Sequence, residues 1–496
     1  MNFLTLVYGL FLLSVVGLFW SVPTQKLRVW VLFVASLIFY GSLQLQYVPL
    51  LLMASWINYF LGRALGAPPD WRIEDWQFAQ QDWTKRRVKL LWLGIGVNLV
   101  LLLSFKYVPV LLTEVGRARG WNLGDPSKTW SDWSKLAPLG LSYFSFECIS
   151  YLVDVYRGAP ASQQFLRFAT SKLFFAKVLL GPITRYHLFA GQLQNLRFPP
   201  MEQIVEGLWL IACGAMKKAV VADSLATYVN LGFDNLARAG SGDILLCAVA
   251  YGLQLYLDFS GYVDVARGSA LLLGFNLPQN FDFPYFTTSI ADFWRRWHMS
   301  LGDWLRNYLY FPLGGSRQGL GRTCANLIVV MVLAGLWHGA AWGFLLWGAI
   351  HGVGLAMHRI VDGISKRSPK LKAFWESFPG IAVGWGLTQG MVFLSWIVFR
   401  LPEWANTQLA FSRLFGAAAD PQFIQKVYGE TLKLYPNQIA VGLFGVFLVM
   451  GIAYALQRGL KLQLNWYLKL LLIPLCFYMV AIAMPSGVSS YLYFDF

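Results

Sequence analysis

An all-helical protein that crosses a membrane many times is predicted by three features of this 496-residue sequence. Apolar residues make up 57% of it and charged residues only 13%, about half the roughly 25% charge of soluble domains. The apolar residues gather in runs, among them 3–20, 29–41, 48–60, 90–104, 327–336 and 467–484. Several approach the roughly 20 residues needed to cross a bilayer core. The net charge of +15 is dispersed in short basic groups between these runs, such as Lys26/Arg28, 85–89 and 359–372. Such groups orient membrane helices with their basic ends in the cytoplasm. A nucleic-acid binder would instead gather its basic residues into one solvated stripe.

The first run carries no charge before Lys26, so it lacks the basic start of a signal peptide. It is expected to remain as the first transmembrane helix, amino end outside. About eleven crossings are expected in all, at roughly 20 residues each. Stretches 66–89, 113–135 and 402–438 are too polar to cross. The first two mix Trp with charged residues, as interfacial segments do. With no internal repeat, residues 1–496 read as one membrane domain. The five cysteines form no CxxC pair and read as apolar packing rather than as a zinc or redox site.

Residues 281–322 differ in kind. From residue 291 they hold five arginines against two aspartates. On a continuous helix Ile290, Phe293, Trp294, Trp297, Leu301, Trp304, Leu305 and Tyr308 form one apolar stripe. Asp292–Arg296 and Asp303–Arg306 then pair along the opposite face. This pattern predicts an interfacial amphipathic helix, with His298 on the apolar side.

Five histidines occur: 187, 298, 338, 351 and 358. His338 falls inside an apolar run, where an ionisable group marks a functional site by default. The bland alternative is a hydrogen bond across a helix interface. Gly335, Gly339 and Gly343 recur around it, allowing close approach of a helix or a substrate. His351 and His358 are seven residues apart, about 10.5 Å of helix rise, too far to share a metal directly. There is no HExxH, GxSxG or GxxxxGK[ST] pattern, so no metal and no permanently bound cofactor is expected. Glu147 and Asp154, Gln254 and Asp258, and Lys217–Lys218 with Asp223 are further polar candidates, most of them read as helix-pairing groups. His338 and Asp258 also allow a different class, a lipid or polysaccharide transporter with a proton relay. No second copy of the WHG or RRWH segments supplies the repeats such a transporter usually has.

The segment FPYFTTSIADFWRRWHMSLGDWLRNYLYFPLGGSR, followed by GLWHGAAWGFLLWGAIHG, resembles the membrane-bound O-acyltransferases, specifically the bacterial alginate O-acetyltransferase branch. PLGLSYFSFECISYLVDVYRG, LLGPITRY, GAMKKAVVAD and YLDFSGYVDVARGSALLLGFNLPQNF are similar to further family segments in the expected order. The motif core is 138–358. Ser316, where Asn is usual, and Arg267, where an aliphatic is usual, depart from the pattern.

The resemblance implies helices around a thinned central partition with a funnel on either side. His338 would be the catalytic histidine and His298 the second one. In the basic helix itself, Arg295, Arg296, Trp297, Arg306 and Arg317 are expected at the cytoplasmic mouth to meet the donor, an acetyl-CoA or acyl carrier protein thioester; ordinary positive-inside anchoring is the alternative. The reaction implied is acetyl transfer across the bacterial inner membrane for O-acetylation of a polysaccharide such as alginate, finished by periplasmic O-acetyltransferase partner proteins. D-alanyl or other acyl transfer to an envelope polymer is the alternative within the class. The aromatic tail 485–496 resembles the branch's tail, and Tyr493 in it would relay the acyl group; interfacial anchoring by the tail's tyrosines is the plainer reading. Pro485 and Gly487 are expected to end the last helix.

Overall fold

A computed structural model describes residues 3–68, 76–120 and 137–483, and among these there is no β-strand. Eight helical stretches of the described chain are long and apolar enough to cross a membrane, and Leu6–Ser21 is a shorter apolar helix. About eleven crossings were expected; one of the eight stretches, Gln25–Leu65, runs for 41 residues through a tight turn at Leu45–Tyr47. The described chain divides into two compact units.

The first unit is built from the chain up to Ile211 together with Tyr262–Pro278. Its helices are α1 (Leu6–Ser21), α2 (Gln25–Gln44), α3 (Val48–Leu65), α4 (Trp76–Lys106), α5 (Val108–Ala118), α6 (Leu141–Tyr156), α7 (Phe165–Leu173), α8 (Tyr186–Gln194) and the start of α9 (Met201–Ala215). Thr5 and Thr24 cap α1 and α2 by accepting from Tyr8 and Leu27 N–H, since a threonine oxygen satisfies an otherwise orphaned helix donor. Asn58 and Asn98 exchange side-chain hydrogen bonds at 3.2 and 2.7 Å, joining α3 to α4. Such mutual satisfaction lets amides sit inside an apolar bundle.

The 66–89 stretch is not wholly interfacial: from Trp76 it forms the opening turns of α4. Arg87 there donates to the carbonyls of Leu65, Val155 and Tyr156, which end α3 and α6. A guanidinium thus satisfies two helix C-termini. In stretch 113–135, the helix α5 extends to Ala118, and 121–136 lie outside the described residues. Cys148 and Cys247 are buried, the other three cysteines are partly buried, and all five are free thiols.

The second unit takes Ala212–Gly261 and the chain from Gln279 onward. After α9 comes a π-helical segment, Met216–Ala222, and then α10 (Asp223–Asp234) and the long α11 (Ser241–Leu272). There follow α12 (Ile290–Arg296), α13 (Met299–Leu305), α14 (Gly319–His338), α15 (Trp342–Ser365), α16 (Pro369–Glu376) and α17 (Phe378–Arg400). The chain closes with α18 (Trp404–Ser412), α19 (Pro436–Tyr454) and α20 (Trp466–Ala483). Stretch 402–438 is partly helical, as α18 and a segment from Pro421 to Leu432 show. Residues 484–496, with the expected helix stop and the aromatic tail, lie outside the described residues.

Helices α14 and α15 form an antiparallel hairpin. A Cβ on Gly335 would overlap the Phe344 carbonyl, one on Gly348 the Met331 carbonyl, and one on Gly352 would meet Ile328 Cα at 2.8 Å. The small residues therefore serve backbone-to-backbone helix packing. Gly343 abuts Pro402 in the same manner.

Candidate active site

His338 ends α14 at the tip of this hairpin. It is 5% exposed and packed among aromatic rings, with centroids of Trp337 at 4.8 Å, Phe399 at 5.0 Å, Trp347 at 5.2 Å and Phe344 at 6.4 Å. The hairpin itself fixes this placement, because the glycines bring α15, and with it Phe344 and Trp347, against the end of α14.

The expected continuous helix through the RRWH segment is broken. Trp297 is extended, at φ −106 and ψ 127. His298 is left-handed, at φ 44 and ψ 53, a costly conformation for a residue with a Cβ. Asn280 holds it there. Its carbonyl accepts from Met299 N–H at 2.9 Å, and its side-chain oxygen accepts from Ser300 N–H at 2.9 Å. Asn280 thus caps α13 from a distant loop, and His298 is released from that role. A single interfacial helix is corrected to two short ones meeting at His298.

His298 is 1% exposed, packed edge-to-face on Phe259 at 4.9 Å and 6.3 Å from Trp337. Burial lowers its pKa to about 3, because an apolar cage penalises the charged ring. The two family-matched histidines therefore both touch Trp337. One neutral imidazole can take a proton while a second hydrogen-bonds a reacting oxygen.

Trp297 is buried between Phe293 at 5.6 Å and Trp396 at 5.0 Å, so it packs the core beneath His298. Arg295, Arg306 and Arg317 are exposed, and Arg296 is partly buried and paired with Asp292 at 2.9 Å. Arg306 pairs with Asp303 at 2.6 Å. Both charge pairs are those the sequence spacing gave.

Asp258 faces Lys218 at 2.6 Å, and the same ammonium meets Asp223 at 2.9 Å. Lys218 and Asp258 are buried, so this cluster ties the π-helical segment to α10 and α11. Asp154 belongs to the first unit, within electrostatic reach of His187, whose pKa burial lowers. Glu147, also there, accepts from Lys177 and from Thr184 N–H and O–H. Burial pushes Lys177 down to about 8 against the pull of Glu147. Tyr493 lies outside the described residues.

Sequence reasoning missed Asn280, and it left His351 without a role. His351 is fully buried on α15, 3.3 Å from the Trp294 indole nitrogen and 2.9 Å from Ser395 Oγ.

A membrane acyltransferase is the class that the helical fold and paired histidines match. The family model for membrane-bound O-acyltransferases matches residues 88–385. The chain is 35% identical over 426 residues to the probable alginate O-acetylase AlgI of Pseudomonas putida, covering 82% of this chain and 78% of that protein. It is 32% identical to the peptidoglycan O-acetyltransferase of Helicobacter pylori, covering 75% and 71%. It is 29% identical to the teichoic acid D-alanyltransferase of Streptococcus thermophilus, covering 53% and 68%. The chain belongs to the MBOAT family and is an acyltransferase.

Proposed function

We propose that the protein takes an acetyl group from a cytoplasmic thioester and supplies it for O-acetylation of a polysaccharide outside the plasma membrane. The observation that carries this reading is the position of His338. It sits at the tip of the α14–α15 hairpin, about 28 Å of helix rise from Gly319, whereas Arg359, Lys366, Arg367, Lys370 and Lys372 gather at the other end. Basic ends face the cytoplasm, so the histidine faces the outer half of the membrane. The acetylases among the relatives support acetyl as the group, and alginate as one acceptor of the right kind.

In this reading His338 removes the proton of an acceptor hydroxyl as its oxygen attacks the thioester carbonyl. The imidazolium then returns the proton to the departing thiolate. His298, held neutral, orients the acceptor. Arg295, Arg306 and Arg317 draw the anionic donor, acetyl-CoA or an acetylated carrier protein, and Trp297 braces His298 from below. Periplasmic partner enzymes complete transfer to sugar hydroxyls, with Tyr493 as an intermediate acceptor.

The test uses full-length protein in nanodiscs, offered acetyl-CoA or acetylated carrier protein, with release of free thiol as the readout. Arg306→Glu is expected to raise the donor KM and leave topology unchanged. An unchanged KM for both donors, or cysteine labelling that places Ser316 outside the cell, would overturn the donor side of this reading.

A further inference from the structure

We propose that the Trp347 indole N–H donates the hydrogen bond that receives the acyl carbonyl oxygen as it becomes an oxyanion. The inference rests on the acyl-transfer reading above and adds a catalytic residue to it. Trp347 lies on α15, 1% exposed, one turn after Gly343 and one turn before His351. Its ring stands perpendicular to the His338 ring, at 88° and 5.2 Å between centroids. Phe399 at 5.3 Å, Trp294 at 5.8 Å and His351 at 4.9 Å hold it on its other sides.

The Trp347 Nε1–H is buried and has no acceptor among the described residues. A buried indole usually finds a partner, and leaving a donor unmatched costs its lost hydration. Several other indoles among the described residues have acceptors. Trp294 donates to His351, Trp385 to the Tyr285 carbonyl at 3.0 Å, and Trp20 to the Leu272 carbonyl at 3.0 Å. The Trp337 ring also lies against His338, at 4.8 Å, but it is the chain neighbour of His338, whereas Trp347 approaches from the facing helix α15.

An unmatched donor fixed beside a base is what a preorganised oxyanion site requires. The proposal requires one tetrahedral carbon within hydrogen-bond reach of both groups. The attacking hydroxyl oxygen gives its proton to His338 and bonds to the carbonyl carbon. The carbonyl electron pair moves to oxygen, which accepts from Trp347 N–H. When the carbonyl re-forms, the C–S bond breaks and the thiolate takes the proton from His338. Trp347 gives up no proton, so the cycle closes without another reactant.

The experiment compares Trp347→Phe with replacement of Trp347 by benzothienylalanine, which keeps the ring shape and exchanges N–H for sulfur. Full-length protein in nanodiscs is assayed with whichever of the two acetyl thioesters the wild type turns over. The proposal expects kcat to fall by about 10²-fold in both variants, with donor KM unchanged. Thermal stability should be unchanged or raised in the benzothienylalanine protein, because an unmatched donor has been removed, whereas Phe leaves a cavity and lowers it. Wild-type kcat in the benzothienylalanine protein, or a change in KM alone, would overturn it. The His338 reading fails separately: an active His338→Ala protein would remove the base, whereas an inactive one beside a fully active Trp347 variant would remove only the oxyanion donor.

Discussion

His351 accepts a hydrogen bond from Trp294 through Nδ1, at 3.3 Å, and meets Ser395 Oγ through Nε2, at 2.9 Å. An indole N–H can only donate, so Nδ1 is unprotonated and the neutral ring carries its proton on Nε2. Ser395 accepts that proton's hydrogen bond and donates its own to the Val392 carbonyl at 2.7 Å. The chain of bonds ties α12, which leads into His298, to α15 and α17.

His351→Ala is therefore expected to lower activity without touching the reacting atoms, by loosening α12. Removing one partner of a buried hydrogen bond costs about 1–3 kcal/mol, and a melting curve of the purified variant checks it. Trp294→Phe should act on the same bond. The double variant should then lose less than the sum of the singles, and full additivity would separate the two residues.

Gly348→Ala is expected to abolish activity while the protein still accumulates in the membrane. Its new methyl would overlap the Met331 carbonyl and push α15 away from α14, displacing Trp347 from His338. Gly386→Ala, at a site with nothing within 4 Å, should be close to wild type. Polymer acetyl content in cells carrying each variant provides the comparison.

Lys218→Met should destabilise the second unit by about 3–5 kcal/mol, since it removes the ammonium that faces buried Asp258 and partly buried Asp223. Adding Asp258→Asn should recover part of that loss, because the buried carboxylate that faced Lys218 is then neutral. Unfolding midpoints in detergent measure both. A double variant weaker than Lys218→Met would contradict the pairing.

Acid should act through His298. Its pKa in the folded protein is lowered to about 3, below the ordinary value near 6.5. The unfolded chain then binds the proton that the folded chain refuses, so stability falls as pH drops from about 6.5 towards 3. His298→Asn should flatten that part of the stability–pH curve. An equally steep loss in the variant would assign the acid sensitivity to other groups.

The membrane class was legible in the sequence because apolar run length is a direct physical requirement of a bilayer. His338 was legible for the same reason: an imidazole in an apolar run stands out. Asp292–Arg296 and Asp303–Arg306 were legible because their spacing is local to one helix. The break at His298 was not, since the aromatic stripe keeps helical period straight through it. The cause is Asn280, whose bonds to Met299 and Ser300 exist only after folding. Lys218 and Asp258 were read with their sequence neighbours for the same reason, and the fold joins them across helices. His351 was judged by its distance from His358, whereas its partners are Trp294 and Ser395 on other helices.

The most direct measurement is the transfer rate of His338→Ala relative to wild type, in membranes where both proteins are present at equal amounts. Loss of a general base is expected to lower the rate by about 10²–10⁴-fold, with donor binding retained. A His338→Ala protein that transfers acetyl groups at the wild-type rate would contradict the account.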